Sequence, residues 1–284
     1  MRHLSLIDTH CHLDDPRYGS TEGLRERLMR ARDAGIRGVV VPGVAPSEWT
    51  GLEKLAAMQG WPLTLWPCYG LHPQVIPELT EVETRAGLER LAAGLAAHGV
   101  ALGECGLDGP SSAFPGGQMA RQLRLLDEQL ELAQHLGLPV ILHCLQAHDP
   151  LLRLLKQRRG HEPGFLLHSF SGSAELVREY LKLGAFFSFA GSVTYPSARK
   201  PLLALQAVPL ERLMLETDGP DQVPTPHKRP GALNEPAFLP CIVEQVAHTL
   251  HLPVEHVAEQ TTLNALRFFR VNLSEPSRSR ADAG

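Results

Sequence analysis

Short apolar runs and helical stretches take turns along almost the whole of this chain. "LSLI" (Leu4 to Ile7), "IRGVVVPGV" (Ile36 to Val44), "LTLWPCYG" (Leu63 to Gly70) and "VALGECG" (Val100 to Gly106) read as strands. So do "LPVILHC" (Leu138 to Cys144), "GFLLHSF" (Gly164 to Phe170), "AFFSFAG" and "RLMLETDG" (Arg212 to Gly219). Helical spacing separates them, as in "TEGLRERLMRARDAG" (Thr21 to Gly35) and "GQMARQLRLLDEQLELAQHLG" (Gly117 to Gly137). Further helices are expected near 46–59, 82–98, 151–158, 174–183 and 202–205. About eight strands alternating with helices predict an α/β fold, a (β/α)8 TIM barrel. A doubly wound open sheet is the alternative, but no Gly-rich phosphate loop follows any strand.

At 284 residues the chain fits one such barrel. A single domain is expected over 1–270. The segment after the eighth strand adds two helices, joined at "HLP", that are expected to pack outside the barrel. Residues 271–284, ending in "SEPSRSRADAG", are expected to form a disordered tail. Hydrophobic content of 43% and charged content of 20% suit a packed core, and a net charge of −4 supplies no general attraction for nucleic acid. No apolar run approaches the roughly 18 residues that span a bilayer, and "MRHLSLIDTH" lacks the features of a secretory signal. Five cysteines without paired spacing suggest reduced thiols, so the protein is expected in the cytoplasm.

Barrel enzymes carry their chemistry where the strands end. Here the first strand ends in His10 and His12, whose spacing sends both rings to one face of an extended chain. The third ends in "GLHP" with His72, the fourth in Glu104, the fifth in His143, the sixth in His168 and the eighth in Asp218. Any one of these could be a loop residue bonded to backbone, but apolar starts and polar ends repeat around the whole barrel. Imidazoles and carboxylates together suit Zn, Mn, Fe or Ni, and Mg less well. Glu104, with two oxygens and a place in barrel order between the histidine pairs, is the best candidate to bridge two cations about 3.5–4 Å apart. Cys11, Cys105 and Cys144 each adjoin a proposed ligand, so strand parity turns them to the opposite side. Lys228 and Arg229 in "HKRP" offer a positive rim for a phosphate backbone, and "SARKP" (Ser197 to Pro201) a weaker one.

The series "DTHCHLDD", "GLHP", "GECGLD", "LELAQHLGLPVILHC", "HSFSGS", "ETDGP" and "NEP" resembles the TatD family of metal-dependent deoxyribonucleases, within the amidohydrolase-like barrels, from about Leu6 to Phe268. The resemblance implies a first metal on His10, His12, Glu104 and Asp218 and a second on Glu104, His143 and His168. It implies that His72 lies by the substrate phosphate, that Asp218 takes a proton from the attacking water, and that Asn234 belongs to the substrate-binding residues. Leu145 stands where the family usually carries a basic residue, and Cys105 where it carries an aliphatic one. The expected function is a two-metal exonuclease acting on DNA, most naturally at single-stranded ends. Hydrolysis of an ester or amide, such as an aminoacyl ester, is the alternative on the same barrel, and a binding protein without turnover is a third reading that the complete ligand set opposes.

Overall fold

A computed structural model describes residues 5–110, 118–158 and 164–273. Among them eight parallel strands pair in chain order: β1 (Leu6–Asp8), β2 (Ile36–Gly43), β3 (Thr64–Tyr69), β4 (Leu102–Asp108), β5 (Val140–Leu145), β6 (Phe165–Leu167), β7 (Phe186–Phe189) and β8 (Leu213–Leu215). The ring closes between β8 and β1. Thr9 N donates to Leu215 O (3.1 Å), Asp218 N to His10 O (2.9 Å) and His12 N to Gly219 O (2.8 Å). The fold is the expected (β/α)8 barrel. The helices α1 (Thr21–Asp33), α2 (Trp49–Ala57), α3 (Glu81–Ala97), α4 (Met119–Leu136), α5 (His148–Gln157), α6 (Ala174–Leu181) and α7 (Arg199–Ala207) fill the crossovers. They are followed by α8 (Leu239–Leu250) and α9 (Val254–Phe269).

Local chemistry fixes where these helices start. Ser20 caps α1 through Gly23 N, Ser173 caps α6 through Leu176 N, and Thr80 with Glu83 forms a reciprocal capping box on α3. Each helix then buries an apolar stripe on the strands: α4, for example, buries Leu125, Leu126, Leu130 and Ala133. "SARKP" proves to be the exposed start of α7, with its regular turns beginning at Arg199.

Two apolar clusters divide the interior. The larger lies between strands and helices; the smaller fills the lower barrel with Ile7, Val40, Trp66, Ile141, Leu166 and Met214. α9 closes this lower end by sending Phe268 and Phe269 into the smaller cluster, so the last helix is a base plate and not only an outer layer. Burying each such ring is worth about 1.5–3 kcal/mol. Val271 and Leu273 continue onto the same cluster, whereas residues 274–284 of the expected tail lie outside the described residues. No helix among the described residues is long and apolar enough to cross a membrane.

One glycine shows how the upper barrel is drawn tight. Gly106 has φ +144°, and a Cβ there would sit 2.0 Å from His143 O, so only glycine lets β4 approach β5 this closely. Glu104 on β4 thereby comes within reach of His143 on β5.

Candidate metal centre

At the C-terminal ends of the strands, Glu104 occupies the middle of a ring of imidazoles and its two oxygens face different partners. Oε2 lies 3.2 Å from His10 Nε2 and 3.6 Å from His12 Nε2. Those two nitrogens are 3.2 Å apart, and Asp218 Oδ1 stands 3.7 and 4.0 Å from them. Oε1 lies 2.7 Å from His168 Nε2, 3.0 Å from His143 Nδ1 and 3.0 Å from His72 Nε2. Ligands about 2.0–2.2 Å from one cation stand about 3–3.6 Å from each other. Most of these separations fall at that spacing, with Asp218 standing slightly farther off. Among the described residues the donor atoms form three clusters: His10, His12 and Asp218; His10, Glu104 and His168; and His72, Glu104 and His143, two of which share Glu104.

Burial sets the charges. It lowers His10 to about 4, with His168 adding repulsion. Burial likewise lowers His72. Burial opposes charge on Glu104 too, but His168, His72 and His10 together outweigh it and hold the carboxyl well below its ordinary range. His143 and His168 are raised despite burial, by Asp108 with Glu104 and by Glu104 with Glu216 respectively. Metal binding requires neutral imidazole and ionised carboxylate, and a cation would take the place of those protons.

His72 is set apart from the other histidines by its tautomer. Its Nδ1 accepts from Gln74 N (3.2 Å), so the neutral ring carries its proton on Nε2, which donates to Glu104 Oε1 (3.0 Å) at the floor of the cleft. A donor nitrogen hydrogen-bonds a phosphate oxygen but does not ligate a cation.

The sequence reading missed two further carboxylates. Asp108 Oδ2 stands 3.5 Å from His143 Nε2 and is held by Gln74 Nε2 (2.6 Å). Glu216 Oε1 stands 3.5 Å from His168 Nδ1, and Glu216 also accepts from Ser169 N (2.6 Å) and Ser188 Oγ (2.6 Å). Each faces the outer nitrogen of a candidate ligand, the place from which a second carboxylate orients a metal-binding ring. The i, i+2 spacing that pairs His10 with His12 also joins Glu216 to Asp218, and an i, i+4 strand spacing joins Glu104 to Asp108. Asp8, pushed by burial to about 7, accepts from Thr217 N (2.9 Å) and Oγ1 (2.5 Å) and ties β1 to the loop that carries Asp218. Asp218 itself adopts φ +55°, a left-handed conformation, and accepts from Gln222 Nε2.

The cysteines lie off this cluster: Cys11 Sγ contacts Tyr18 Oη (3.5 Å), Cys105 Sγ contacts Ile141 O (3.8 Å) and Cys144 Sγ contacts His148 Nδ1 (3.3 Å). Three residues expected at the substrate stand elsewhere. Asn234 is fully buried; its amide donates to Thr217 O (2.6 Å) and Gln222 O (3.2 Å), and its Oδ1 accepts from Glu235 N (3.0 Å). It braces the Asp218 loop and has no face toward a ligand. Lys228 lies over the Tyr195 ring (3.9 Å) and Arg229 lines a separate hollow, so neither lines the cleft above the histidines. That cleft, of about 790 Å3, has an acidic rim of Asp14, Asp15, Glu48 and Asp221. Among the described residues Arg17 is its single guanidinium, and it is bound by both Asp15 and Asp221 (2.8 Å each). Leu145 is exposed at the top of β5.

An α/β barrel whose strand ends gather four imidazoles and two carboxylates at ligand spacing belongs to the metal-dependent hydrolases. The model of the family described as "TatD related DNase" matches residues 7–270, and the chain belongs to that family. It is 33% identical to the uncharacterized metal-dependent hydrolase YabD of Bacillus subtilis, over 94% of this chain and 100% of that protein. It is 35% identical to the 3'-5' ssDNA/RNA exonuclease TatD of Edwardsiella piscicida, over 86% of this chain and 92% of that one. The crystal structure of YjjV, a TatD homolog from Escherichia coli, superposes with a TM-score of 0.83 at 33% identity, covering 94% of this chain and 98% of that one.

Proposed function

We propose that this metal-dependent hydrolase is a two-cation phosphodiesterase that shortens single-stranded DNA from its ends. The observation that carries the reading is the division of Glu104 between two donor sets, Oε2 toward His10 and His12, which Asp218 flanks, and Oε1 toward His143, His168 and His72. These residues would hold the two cations, and the exonuclease names of several relatives support the substrate. When bound, such a pair of cations lowers the pKa of a shared water, polarises the phosphoryl oxygen and steadies the leaving alkoxide. Asp218 takes the proton from the attacking water, and Gln222 holds its other oxygen in place. His72, with its proton fixed on Nε2 by Gln74, would pass that hydrogen bond from Glu104 Oε1 to the charge that develops on the phosphate. Asp108 and Glu216 keep His143 and His168 aimed. A cytoplasmic location belongs to the same reading and is supported by five free cysteines.

A second reading, hydrolysis of a carbonyl ester or amide such as an aminoacyl ester, is favoured by the acidic rim. Asp14, Asp15, Glu48 and Asp221 at the rim suit a substrate bearing an ammonium group better than a polyanion. One panel separates the two: single-stranded DNA, a phosphodiester dye and a set of aminoacyl and amide esters, each with Mn, Mg or Zn. Cleavage of DNA and dye is the expected result. A fully loaded protein that cuts only the carbonyl substrates sinks the nuclease reading.

A further inference from the structure

On the flank of the barrel, between α1 and the segment before α8, lies a hollow of about 570 Å3 that is separate from the cleft. Its wall includes Arg27, Arg30, Arg229, His227, Glu235 and Phe238. Among the described residues Glu235 is the one carboxylate of its lining, and its side chain is 4% exposed. Arg27 Nη1 reaches Glu235 Oε2 at 2.5 Å, while Arg30 Nε and Nη2 reach Oε1 and Oε2 at 2.8 Å each. Both oxygens are then in use, which leaves Arg27 with two further nitrogens and Arg30 with one. Arg229 adds an exposed guanidinium with no acidic partner among the described residues. Three guanidiniums against one lining carboxylate make this a positive hollow in a chain of net charge −4, with Glu26 on α1 as the further acidic group acting on Arg30.

The rest of the wall combines one aromatic stack with small and aliphatic residues of the 230–237 segment. The His227 ring stacks on Phe238 with centroids 3.8 Å apart and planes within 4°, and His227 Nε2 is anchored against Cys241 Sγ (3.2 Å). Guanidinium forks match phosphate oxygens in pairs, and a planar wall beside them accepts a base. Asn234, the residue before Glu235 in the chain, donates its amide to the carbonyls of Thr217 and Gln222 on either side of Asp218.

We infer that this flank hollow, formed by Arg27, Arg30, Arg229 and the His227–Phe238 stack, binds a nucleotide phosphate outside the metal cleft. The choice of a nucleotide rests on the proposed nuclease reading, and the phosphate comes either from a strand that continues past the cleft or from a free mononucleotide. The test measures binding, not turnover: fluorescence anisotropy of a labelled phosphorothioate oligothymidylate on the metal-loaded full chain over a range of salt. Arg229→Ala should weaken binding about 5- to 10-fold and reduce the salt slope by about 0.7, the contribution of one lost phosphate contact on a single strand. Arg229→Lys should recover most of the slope, and Arg199→Ala, which removes an exposed charge on α7, should leave it unchanged. Displacement of the oligonucleotide by a nucleoside monophosphate from the wild type, but not from Arg229→Ala, marks a free-nucleotide site. Displacement by longer strands alone marks a strand path. Affinity and slope unchanged in Arg229→Ala, or lowered equally in Arg199→Ala, would overturn the inference and leave Arg27, Arg30 and Glu235 as a structural clamp. If the metal-loaded wild type does not cleave the phosphodiester dye, the nuclease reading fails while the binding arm still decides the hollow.

Discussion

The two ends of this barrel are made from the same eight strands and are opposites in chemistry. The lower end is packed with Ile7, Val40, Trp66, Ile141, Leu166 and Met214 and sealed by Phe268 and Phe269. The upper end brings His10, His12, His72, Glu104, His143, His168 and Asp218 together in a buried pocket where charges oppose one another. Packing at the base lowers the free energy of the fold; at the top, burial of ionisable groups works against it and is offset by mutual hydrogen bonds and, in the working enzyme, by cations. Substitutions at the base should therefore cost stability with little loss of chemistry, and substitutions at the top the reverse.

The sharpest way to break that contrast is at Glu104. Glu104→Gln removes the charge that both donor sets share, and hydrolysis should fall by about 1,000-fold or more with loss of one metal per chain. Elemental analysis checks it: an unchanged metal-to-protein ratio excludes the bridging role. Asp218→Asn should lower kcat by roughly 100- to 10,000-fold, the usual effect of losing a general base, while thermal unfolding shifts little. Near-full hydrolysis by a folded, metal-loaded Asp218→Asn would remove Asp218 from the chemistry.

At the other end Phe268→Ala should cost about 3–5 kcal/mol of stability through the cavity it leaves, with activity per folded molecule retained. Denaturant titration together with active-site counting reads both quantities; a fall in activity matching that of Asp218→Asn would mean the two ends are coupled. Cys105→Ala, one residue from Glu104 but packed against Ile141 on the far side of β4, should cost only about 1 kcal/mol and leave metal content alone.

The sequence made this polarity legible because strand ends are local: an apolar run followed by His, Glu or Asp needs no tertiary knowledge to place in a barrel. The same reasoning stopped short where a residue's role depends on what lies across the fold. Arg229 reads as part of a positive rim and Asn234, five residues on, as a substrate-binding residue, yet Asn234 is wholly buried behind the Asp218 loop and Arg229 faces the flank. Nothing in their neighbours distinguishes the two. Asp108 and Glu216 were hidden by proximity to stronger candidates, although their spacing from Glu104 and Asp218 placed them on usable faces. The plug formed by α9 was out of reach because periodicity marks an apolar stripe without saying which surface it covers.

The smallest effect concerns a histidine that lies near the upper end but outside the ligand cluster. His148, beside Cys144 Sγ (3.3 Å) and Tyr180 Oη (3.1 Å), is lowered to about 4 by burial, with Lys200 acting in the same direction. Its ordinary value is 6.5, so between those values the unfolded chain takes up a proton that the folded chain refuses. Stability from this group is whole above pH 6.5 and is lost as pH falls toward 4. The ring is partly exposed, so solvent screening reduces the loss at pH 5 to roughly 1 kcal/mol, or about 2–4 °C in melting temperature. His148→Gln removes the titration but also a packed ring, so the variant should melt below the wild type at pH 7.5 and the gap should narrow by that amount at pH 5. Paired thermal melts at the two pH values measure it, the ligand histidines being common to both proteins. A gap that stays constant would show that His148 takes up its proton in the folded chain as readily as in the unfolded one, and that the contrast between a buried apolar base and a titrating upper end does not extend beyond the ligand cluster.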